Sequence, residues 1–438
     1  MGIQTIRYDQ PDYPSRVRAL RDKLRAGGLT AADERLDVPG IVRQIIADVE
    51  SRGDQALIEL TARHDKVALA DGQLRTPADR IKAAHKAVDR RFLTLIRRVI
   101  ANLREYQRHI LIAEPAPLQR GGRRLGVRYT PVGRVGVYVP GGRAVYPSTV
   151  LMTVVPAQVA GVRQIAIASP PAANGEVNPL VLALAGELGI WEVYRIGGAQ
   201  AVAALAIGTA GVRAVDKIVG PGNAFVAEAK RQLFGRVGID SVAGPSEVFI
   251  VADETANAGW IAADLLAQAE HDPGSAVLVT PCADLAAKVA AELDAQAETL
   301  QRAAAARRSL EAFSAIIVVP DLDAACKLAD EFAPEHLQLI TADDRAAMAK
   351  IRNAGAIFLG GHTPVAVGDY YAGPSHVLPT GGTARFSGPL SCNDFLKASS
   401  TICYDAASLA EDAPDVTYFA GQEGLTGHAA SVRIRQET

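Results

Sequence analysis

The sequence predicts an α/β protein with mostly parallel β-sheets. Short apolar runs rich in valine and isoleucine alternate with alanine-rich segments in which apolar residues recur every three or four positions. This alternation fills two stretches, from about residue 127 to 236 and from about 247 to 359. Such a pattern is typical of βαβ units, whose strands pair in parallel. We therefore expect two Rossmann-like lobes with mostly parallel sheets, plus a helical N-terminal part and a small C-terminal part.

Residues 1–126 are predicted to form the helical N-terminal part, joined in part to the second lobe. Apolar residues at helical spacing mark residues 13–25 and 38–60, and residues 78–109 are expected to form one long helix. Three of the eight histidines, His64, His85 and His109, lie here without an obvious polar partner. We expect these three side chains at the surface.

Residues 127–236 are predicted to form the first lobe, inserted within the second. Strands are expected at 134–139, 164–168, 192–196 and 217–219, and helices follow them. Glycine-rich loops follow three of the strands, at 140–142, 197–198 and 220–222. Glycines let the backbone approach a phosphate, and a helix N-terminus after them favours an anion. Because none of these loops matches G-x-G-x-x-G, ordinary tight turns remain an alternative to nucleotide binding.

Residues 237–380 are predicted to form the second lobe, and residues 381–438 the small C-terminal part, with a helix near 393–410. Strands at 247–251, 276–279, 315–319, 338–340 and 356–359 alternate with helices. The helix over 256–271 ends in Gln268-Ala269-Glu270-His271. Gln268 and His271 point the same way on a helix, so they could form half of a metal site or a polar clamp on a substrate. Simple surface polarity is the alternative.

The size and composition of the chain narrow the functions to consider. Its 438 residues exceed one ordinary core and indicate two or three domains. The net charge is −2 and no long run carries one sign, so neither nucleic acid nor an anionic membrane is expected as a partner. The sequence shows no apolar stretch of membrane-spanning length, no secretory signal and no C-x-x-C pair. A cytoplasmic protein without a disulfide framework is therefore expected.

Polar side chains from distant points of the chain could complete a metal site. Gln268, His271, Asp369 and His428 would offer an amide, two imidazoles and a carboxylate. This set suits zinc and also accepts manganese or cobalt. Without a thiolate, a catalytic or substrate-positioning metal is favoured over a structural one.

Glu335 and His336 form a candidate acid/base pair at the edge of a strand. A charge interaction at a helix C-terminus would also explain them. A nucleotide lobe beside a metal and acid/base lobe indicates redox chemistry on a small hydroxylated molecule, which needs a hydride acceptor and a base. No cysteine lies in a polar segment with an activating partner, so water activated by Glu335 is the better candidate for oxidising an aldehyde.

A series of linked motifs carries a family resemblance over nearly the whole chain. The most specific runs from Ile239-Asp240-x-x-Ala243-Gly244-Pro245-Ser246-Glu247 to Gln268-Ala269-Glu270-His271. The others are Pro334-Glu335-His336-Leu337, Gly368-Asp369-Tyr370, His376-Val377-Leu378-Pro379-Thr380 and Glu423-Gly424-Leu425-Thr426-Gly427-His428. Together they resemble the histidinol dehydrogenase family.

The resemblance implies that L-histidinol is oxidised through L-histidinal to L-histidine, the last step of histidine biosynthesis, with two NAD molecules reduced in sequence. It implies a homodimer with shared active sites, in which the C-terminal part serves dimerisation. One Zn²⁺ per subunit would be bound by Gln268, His271, Asp369 and His428, the last of these supplied by the partner subunit, and would hold the substrate.

The resemblance also implies roles for single residues. Glu335 is expected to activate water for the second step, and His336 to take the alcohol proton in the first. Tyr138, Gln200 and Asn223 are the expected NAD contacts. The expected substrate contacts are Ser246, Gln268, His271, His336, Asp369, His376, Glu423 and His428.

Two alternatives remain open at this point. A zinc- and NAD-dependent dehydrogenase of another small hydroxylated metabolite would keep the metal and acid/base residues, although Glu423, five residues before His428, favours histidinol. A metal-dependent hydrolase or a nucleotide-binding regulator would transfer no hydride to NAD.

Overall fold

The computed structural model describes residues 2–25, 36–141, 146–242, 244–271 and 273–437. Two parts of the predicted motifs lie outside these residues. They are Ala243, in the longest motif, and residues 142–145, in the loop after the first strand of the first lobe.

The described residues form helices and strands in alternation over most of the chain. The helices are α1 (Tyr13–Arg25), α2 (Val38–Arg52), α3 (Asp54–His64), α4 (Ala78–Ala87), α5 (Arg90–Ile110), α6 (Ser148–Val159), α7 (Pro179–Glu187), α8 (Gly198–Ile207), α9 (Ala224–Leu233), α10 (Ala258–Ala269), α11 (Ala283–Ala297), α12 (Ala303–Phe313), α13 (Leu322–Phe332), α14 (Asp344–Met348), α15 (Val365–Tyr370), α16 (Ala406–Gln422) and α17 (Thr426–Arg433). The strands are β1 (Gln4–Arg7), β2 (Leu118–Arg120), β3 (Arg123–Pro131), β4 (Arg134–Tyr138), β5 (Gln164–Ala168), β6 (Val193–Tyr194), β7 (Lys217–Val219), β8 (Gly238–Ile239), β9 (Glu247–Ala252), β10 (Ser275–Thr280), β11 (Ala315–Val318), β12 (His336–Ile340), β13 (Ala356–Leu359) and β14 (Leu396–Cys403).

Two parallel sheets organise the part of the chain that the structure describes. The larger sheet has six strands in the order β1-β11-β10-β9-β12-β13, and the smaller has five in the order β6-β5-β4-β7-β8. Every strand pairing within these two sheets is parallel. The predicted class, α/β with mostly parallel sheets, is thereby confirmed. The predicted division at residues 126, 236 and 380 stays a prediction.

Apolar side chains cover both faces of each parallel sheet. Along β9, Val248 and Ile250 face one buried cluster, while Phe249 and Val251 face another. Strands buried on both faces read as continuous apolar runs, which is why the sequence pattern revealed them. The N-terminal helices contribute to these clusters as well. Helices α2 and α3 pack on one face of the five-stranded sheet, α5 on the other, and α1 on the six-stranded sheet.

The prediction of one long helix over 78–109 was wrong. Helix α4 ends at Ala87, Val88 is extended, and the carboxylate of Asp89 caps the start of α5 by accepting from the backbone N–H of Phe92 at 3.1 Å. The apolar spacing continues across this short break, so only the capping residue marks it.

The prediction of a helix near 393–410 was also wrong for most of its length. Residues Leu396–Cys403 form β14, which pairs antiparallel with β3 over its whole length. Together with β2 they form a three-stranded sheet, and helix α16 begins only at Ala406. None of the described helices is both long and apolar enough to span a bilayer.

Candidate active site

The candidate catalytic side chains gather at the amino-terminal edge of the six-stranded sheet. Glu247 is the first residue of β9, and His336 is the first residue of the neighbouring strand β12, where it pairs with Val248. Open α/β sheets usually bind ligands at the carboxyl ends of their strands. The five-stranded sheet follows that rule, but the polar groups of the larger sheet collect at the opposite edge.

Glu335 and Glu247 are linked because the side chain of each accepts a hydrogen bond from the backbone N–H of the other. The hydroxyl of Ser246 and the backbone N–H of Glu247 donate to Oε2 of Glu335 at 2.7 and 2.8 Å. In return, the backbone N–H of Glu335 donates to Oε1 of Glu247 at 3.2 Å, and Gly381 N–H donates to the same oxygen at 3.1 Å. Both side chains are buried. The carboxylate of Glu335 is therefore fixed in orientation by hydrogen bonds on one oxygen.

Two carboxyl groups this close in a buried site cannot both carry a charge without a large energetic cost. Burial, followed by the negative charge of Glu335, raises the pKa of Glu247 to about 8. Glu247 is therefore protonated at neutral pH.

The imidazole of His336 presents one nitrogen to the strand and the other to the site. Nδ1 lies 3.0 Å from the backbone carbonyl oxygen of Glu247, which can only accept, so Nδ1 carries a proton and donates it. Nε2 lies 3.6 Å from Oδ1 of Asp369 and has no hydrogen-bond partner among the described residues. Burial lowers the pKa of His336, but the negative charges of Glu335 and Asp369 outweigh burial and raise the pKa to about 10. Nε2 is thus the nitrogen placed for proton exchange.

Asp369 and His376 belong to one segment that is anchored to the helices of the smaller sheet. Asp369 lies on α15, and Nδ1 of His376 contacts its backbone carbonyl oxygen at 3.1 Å. The hydroxyl of Ser375 donates to the carbonyl of Met152 on α6 at 2.9 Å. Burial raises the pKa of Asp369, but its interaction with His336 outweighs burial and lowers the pKa below the usual value. Burial lowers the pKa of His376.

The geometry of the predicted pair Gln268 and His271 differs from the expectation. Helix α10 ends at Ala269, so His271 lies in the turn after the helix, where its N–H donates to the carbonyl of Gln268 at 3.3 Å. A Cβ at Gly274 would lie 2.2 Å from that same carbonyl, so the chain can turn here only with glycine. Gln268 is buried, and its Nε2 has no hydrogen-bond partner among the described residues.

His271 joins the same electrostatic cluster as the catalytic candidates. Burial lowers the pKa of His271, and the charges of Glu335 and Asp369 partly oppose this effect. The imidazole ring lies 6.4 Å from the ring of Tyr146, measured between centroids. Since Tyr146 follows the loop after β4, this contact links the catalytic cluster to the smaller sheet.

His428 and Glu423 take no part in this cluster within one chain. Both side chains are exposed, Glu423 at the end of α16 and His428 on α17. Over the described residues, no group of three or more His, Cys, Asp and Glu side chains is arranged to hold a metal. Of the predicted His and Asp ligands, His271 and Asp369 lie in this cluster, whereas His428 does not.

The three predicted NAD contacts come together in one cavity at the carboxyl edge of the five-stranded sheet. Tyr138 ends β4, Gln200 lies in the first turn of α8, and Asn223 caps α9 by accepting from the N–H groups of Phe225 and Val226. All three line a cavity of about 740 Å³. The Tyr138 hydroxyl also accepts from the N–H of Gly198 at 3.1 Å. This volume suits a dinucleotide or another ligand of similar size.

Comparison with known proteins identifies the family. A family model described as histidinol dehydrogenase matches residues 30–436. The chain belongs to the histidinol dehydrogenase family. The histidinol dehydrogenase of Rhodopirellula baltica is 49% identical over 450 residues, which cover 100% of this chain and 98% of that protein. The histidinol dehydrogenase of a Synechococcus species is 50% identical over 398 residues, which cover 91% of this chain and 92% of that protein.

A solved structure supports the same family. The crystal structure of histidinol dehydrogenase from Elizabethkingia anophelis matches with a TM-score of 0.91 at 32% identity, covering 99% of this chain and 98% of that one. As a member of the histidinol dehydrogenase family, the chain is an NAD-dependent oxidoreductase.

Sequence reasoning missed several residues of these two sites in this histidinol dehydrogenase family member. His64 and Asp65, at the end of α3, line the cavity although no motif in their segment indicates a function. Their placement depends on how α2 and α3 pack against the five-stranded sheet, which no local motif reveals. Glu247 lies in the longest motif, and the sequence alone indicates no function for it. The expectation that His85 lacks a polar partner was wrong, because its Nε2 lies 2.7 Å from Oε2 of Glu187.

Proposed function

We propose that this chain oxidises L-histidinol through L-histidinal to L-histidine, with two NAD molecules reduced in sequence, as the last step of histidine biosynthesis. The observation that carries the proposal is the arrangement of Glu335, His336 and Asp369 at one sheet edge in a chain of the histidinol dehydrogenase family. A carboxylate and an imidazole held side by side can serve two successive proton transfers, one for each oxidation.

His336 supports the first oxidation, in which the alcohol loses a proton to a base and a hydride to NAD. Its Nδ1–H is held by the carbonyl of Glu247, so Nε2 faces the substrate. A positive charge held by Asp369 would oppose the negative charges of Glu335 and Asp369 that raise the pKa of His336, and would therefore lower that pKa. Under that condition Nε2 can accept the hydroxyl proton.

Glu335 supports the second oxidation, in which water adds to the aldehyde before the second hydride leaves. Its Oε2 is occupied by the hydrogen bonds from Ser246 and Glu247, which orient the carboxylate. The other oxygen is then available to take a proton from water as that water attacks the aldehyde carbon. Ser246 and His376, the remaining candidate substrate contacts of this chain's cluster, lie beside these groups.

We infer that Zn²⁺ is held by Gln268, His271 and Asp369 of one subunit and by His428 of the partner subunit. Gln268 is buried with an unpartnered Nε2, and rotation of the amide by half a turn would present Oε1 to a cation instead. His271 has a lowered pKa and Asp369 is ionised, the protonation states that metal binding needs. Bound there, Zn²⁺ would supply a positive charge that could position the nitrogen groups of the substrate near His336.

NAD is expected in the 740 Å³ cavity beside Tyr138, Gln200 and Asn223. The N-termini of α8 and α9 both open on this cavity, and helix N-termini favour phosphate groups. Bound NAD accepts the hydride in each oxidation.

A homodimer with shared active sites would place His428 and Glu423 at the cluster of the other subunit. The C-terminal part carries large exposed apolar side chains, among them Ile402, Tyr418 and Phe419, whose exposed fractions are 73%, 71% and 67%. Large exposed apolar side chains concentrated in one part of a chain are typical of a subunit interface.

The test is histidinol-dependent NADH formation, followed by absorbance, with zinc content measured before and after chelation. We expect two NADH per L-histidinol, loss of activity with the removed zinc, and recovery when zinc is restored. A panel of other small alcohols serves as the comparison. Faster turnover of another alcohol would favour the related dehydrogenase, and no NADH from any of them would refute the proposal.

A further inference from the structure

Asp65 brings a carboxyl group into the dinucleotide cavity from an unexpected direction. It follows the last residue of α3 and is the C-cap of that helix. Helix α3 packs on the five-stranded sheet, and the end of the helix reaches the cavity. Among the described residues that line the cavity, Asp65 is the only carboxylate.

The carboxyl group of Asp65 lacks the partners that a buried acceptor normally has. Its Oδ2 is buried and has no hydrogen-bond partner among the described residues. Burial raises the pKa of Asp65 to about 6, and no cation contributes to that shift. Buried acceptors without donors are rare in folded proteins because each one costs free energy. A group that enters the cavity with O–H or N–H donors would satisfy this oxygen.

The electrostatics of the cavity restrict which part of a dinucleotide can meet Asp65. Phosphates favour the N-termini of α8 and α9, where Gly198 and Asn223 lie, and are repelled by a carboxylate. A ribose offers two neighbouring hydroxyl donors, which suit the two oxygens of one carboxylate. Dinucleotide sites commonly bind the ribose 2′-hydroxyl with an acidic side chain for this reason.

We propose that Asp65 accepts hydrogen bonds from the adenosine ribose hydroxyls of NAD and thereby selects NAD over NADP. This inference rests on the proposed function only in placing NAD in the cavity beside Tyr138. A 2′-phosphate at the same position would bring a second negative group against the carboxylate of Asp65. Asp65 is thus a specificity-determining residue of the cofactor site.

The experiment compares the zinc-loaded wild-type enzyme with Asp65→Asn. The matched control is Asp71→Asn, an exposed aspartate in the same loop. For each protein, KM and kcat are measured with NAD, with NADP and with nicotinamide hypoxanthine dinucleotide, which lacks the adenine amine. NAD affinity is also measured by calorimetry without substrate, and thermal unfolding without any cofactor.

In Asp65→Asn we expect the KM for NAD to rise about tenfold or more, the loss typical of a hydrogen bond to a charged group, with a much smaller change in kcat. The preference for NAD over NADP should fall by a similar factor. The melting temperature without cofactor should rise, because the substitution removes a charge that is buried without a partner. Asp71→Asn should match the wild type in every measurement.

Three results would overturn the inference. One is an equal loss for NAD and NADP, which indicates a role in local structure alone. The second is a loss of discrimination against the hypoxanthine analogue, which places the adenine amine at Asp65. The third is unchanged NAD affinity by calorimetry. Because calorimetry needs no turnover, an enzyme that binds NAD but fails to oxidise histidinol would refute the proposed function and still decide the role of Asp65.

Discussion

Two buried glutamates lie side by side and receive different hydrogen bonds. Glu335 receives the hydrogen bonds of Ser246 and of the Glu247 backbone on its carboxylate, whereas Glu247 has a pKa raised to about 8. The two residues lie in different sequence motifs, and neither motif shows that Glu247 is protonated. Protonation follows from burial and from which groups donate to which oxygen, so it required the folded structure.

Glu335→Gln is expected to impair the second oxidation far more than the first. A glutamine keeps the hydrogen bonds from Ser246 and Glu247 but cannot take a proton from water. General-base catalysis contributes on the order of 100-fold or more, so L-histidinal oxidation should fall by about that factor. The reverse of the first step, L-histidinal reduction by NADH, should fall less than about tenfold by the same reasoning.

The control for this substitution is Glu254→Gln, an exposed glutamate in the same lobe. Stopped-flow measurement of both half-reactions separates the two steps. Equal losses in both steps would refute the assignment of water activation to Glu335.

Glu247→Gln is expected to change how stability depends on pH. The pKa of Glu247 is raised in the folded state, so the folded protein binds more protons than the unfolded chain between about pH 4.5 and pH 8. The stabilisation that this group contributes is fully present below that pH range and is lost as pH rises through about 8. Glutamine mimics the protonated acid, so the variant does not lose this stabilisation at high pH.

The measurement is the melting temperature of both proteins from about pH 6 to about pH 9. The melting temperature of the variant should rise relative to that of the wild type as pH rises. At the alkaline end this corresponds to a difference in the free energy of unfolding on the order of a few kcal/mol. Parallel curves would show that Glu247 is already ionised in the folded enzyme.

At the scale of elements, local pattern predicted buried strands well and exposed ones poorly. Strands β9, β10 and β12 are buried over their whole length and carry unbroken apolar runs. Strand β14 is exposed at nearly every position, and its partner β3 lies more than 260 residues earlier in the chain. Its pairing is a long-range event that hydrophobic periodicity cannot show, so a helix was predicted there instead.

The loop that leads into α9 depends on glycine at one position. Gly220 has a φ of 111°, and a Cβ there would lie 2.1 Å from the carbonyl oxygen of Tyr138. A buried ion pair holds the loop, since Lys230 donates to the Gly220 carbonyl at 3.1 Å and Asp240 accepts from the Gly220 N–H at 2.7 Å. This loop carries Asn223 into the cavity.

Gly220→Ala is therefore expected to destabilise the fold by about 1–3 kcal/mol from backbone strain alone, with the clash added. Displacement of Tyr138 and Asn223 should also raise the KM for NAD. Gly388→Ala is the matched control, because a Cβ there meets no atom within 4 Å. Melting temperatures and NAD kinetics of both variants test this, and equal behaviour of the two would contradict it.

At the scale of the whole molecule, the two parallel sheets present opposite edges to the sites. The cavity lies at the carboxyl edge of the smaller sheet, and Glu335 and His336 lie at the amino edge of the larger one. The motifs were recognisable in sequence because each sits where an element begins or ends. The sequence did not show how these motifs lie relative to one another in space. Their relative position depends on the segment that holds Asp369 and His376 and on the contacts of that segment with α5 and α6.

Sharing of the active site between subunits predicts a specific pattern of complementation. Glu335→Gln removes the proposed water-activating group of a subunit's own cluster, and His428→Ala removes the proposed ligand that the subunit would supply to its partner. If His428 acts across the dimer, a heterodimer of these two variants has one site with both defects and one intact site. Its histidinol oxidation should then be about half that of the wild type, as two-fold symmetry requires.

The heterodimer is obtained by coexpressing the two variants with different affinity tags and purifying through both tags in succession. The two variant homodimers, purified in the same way, are the controls and should show little activity. If His428 served the site of its own chain, each site of the heterodimer would carry one defect, and the mixed dimer would be no more active than the homodimers. Activity near that low level in a mixed dimer that is folded and dimeric would refute the shared site.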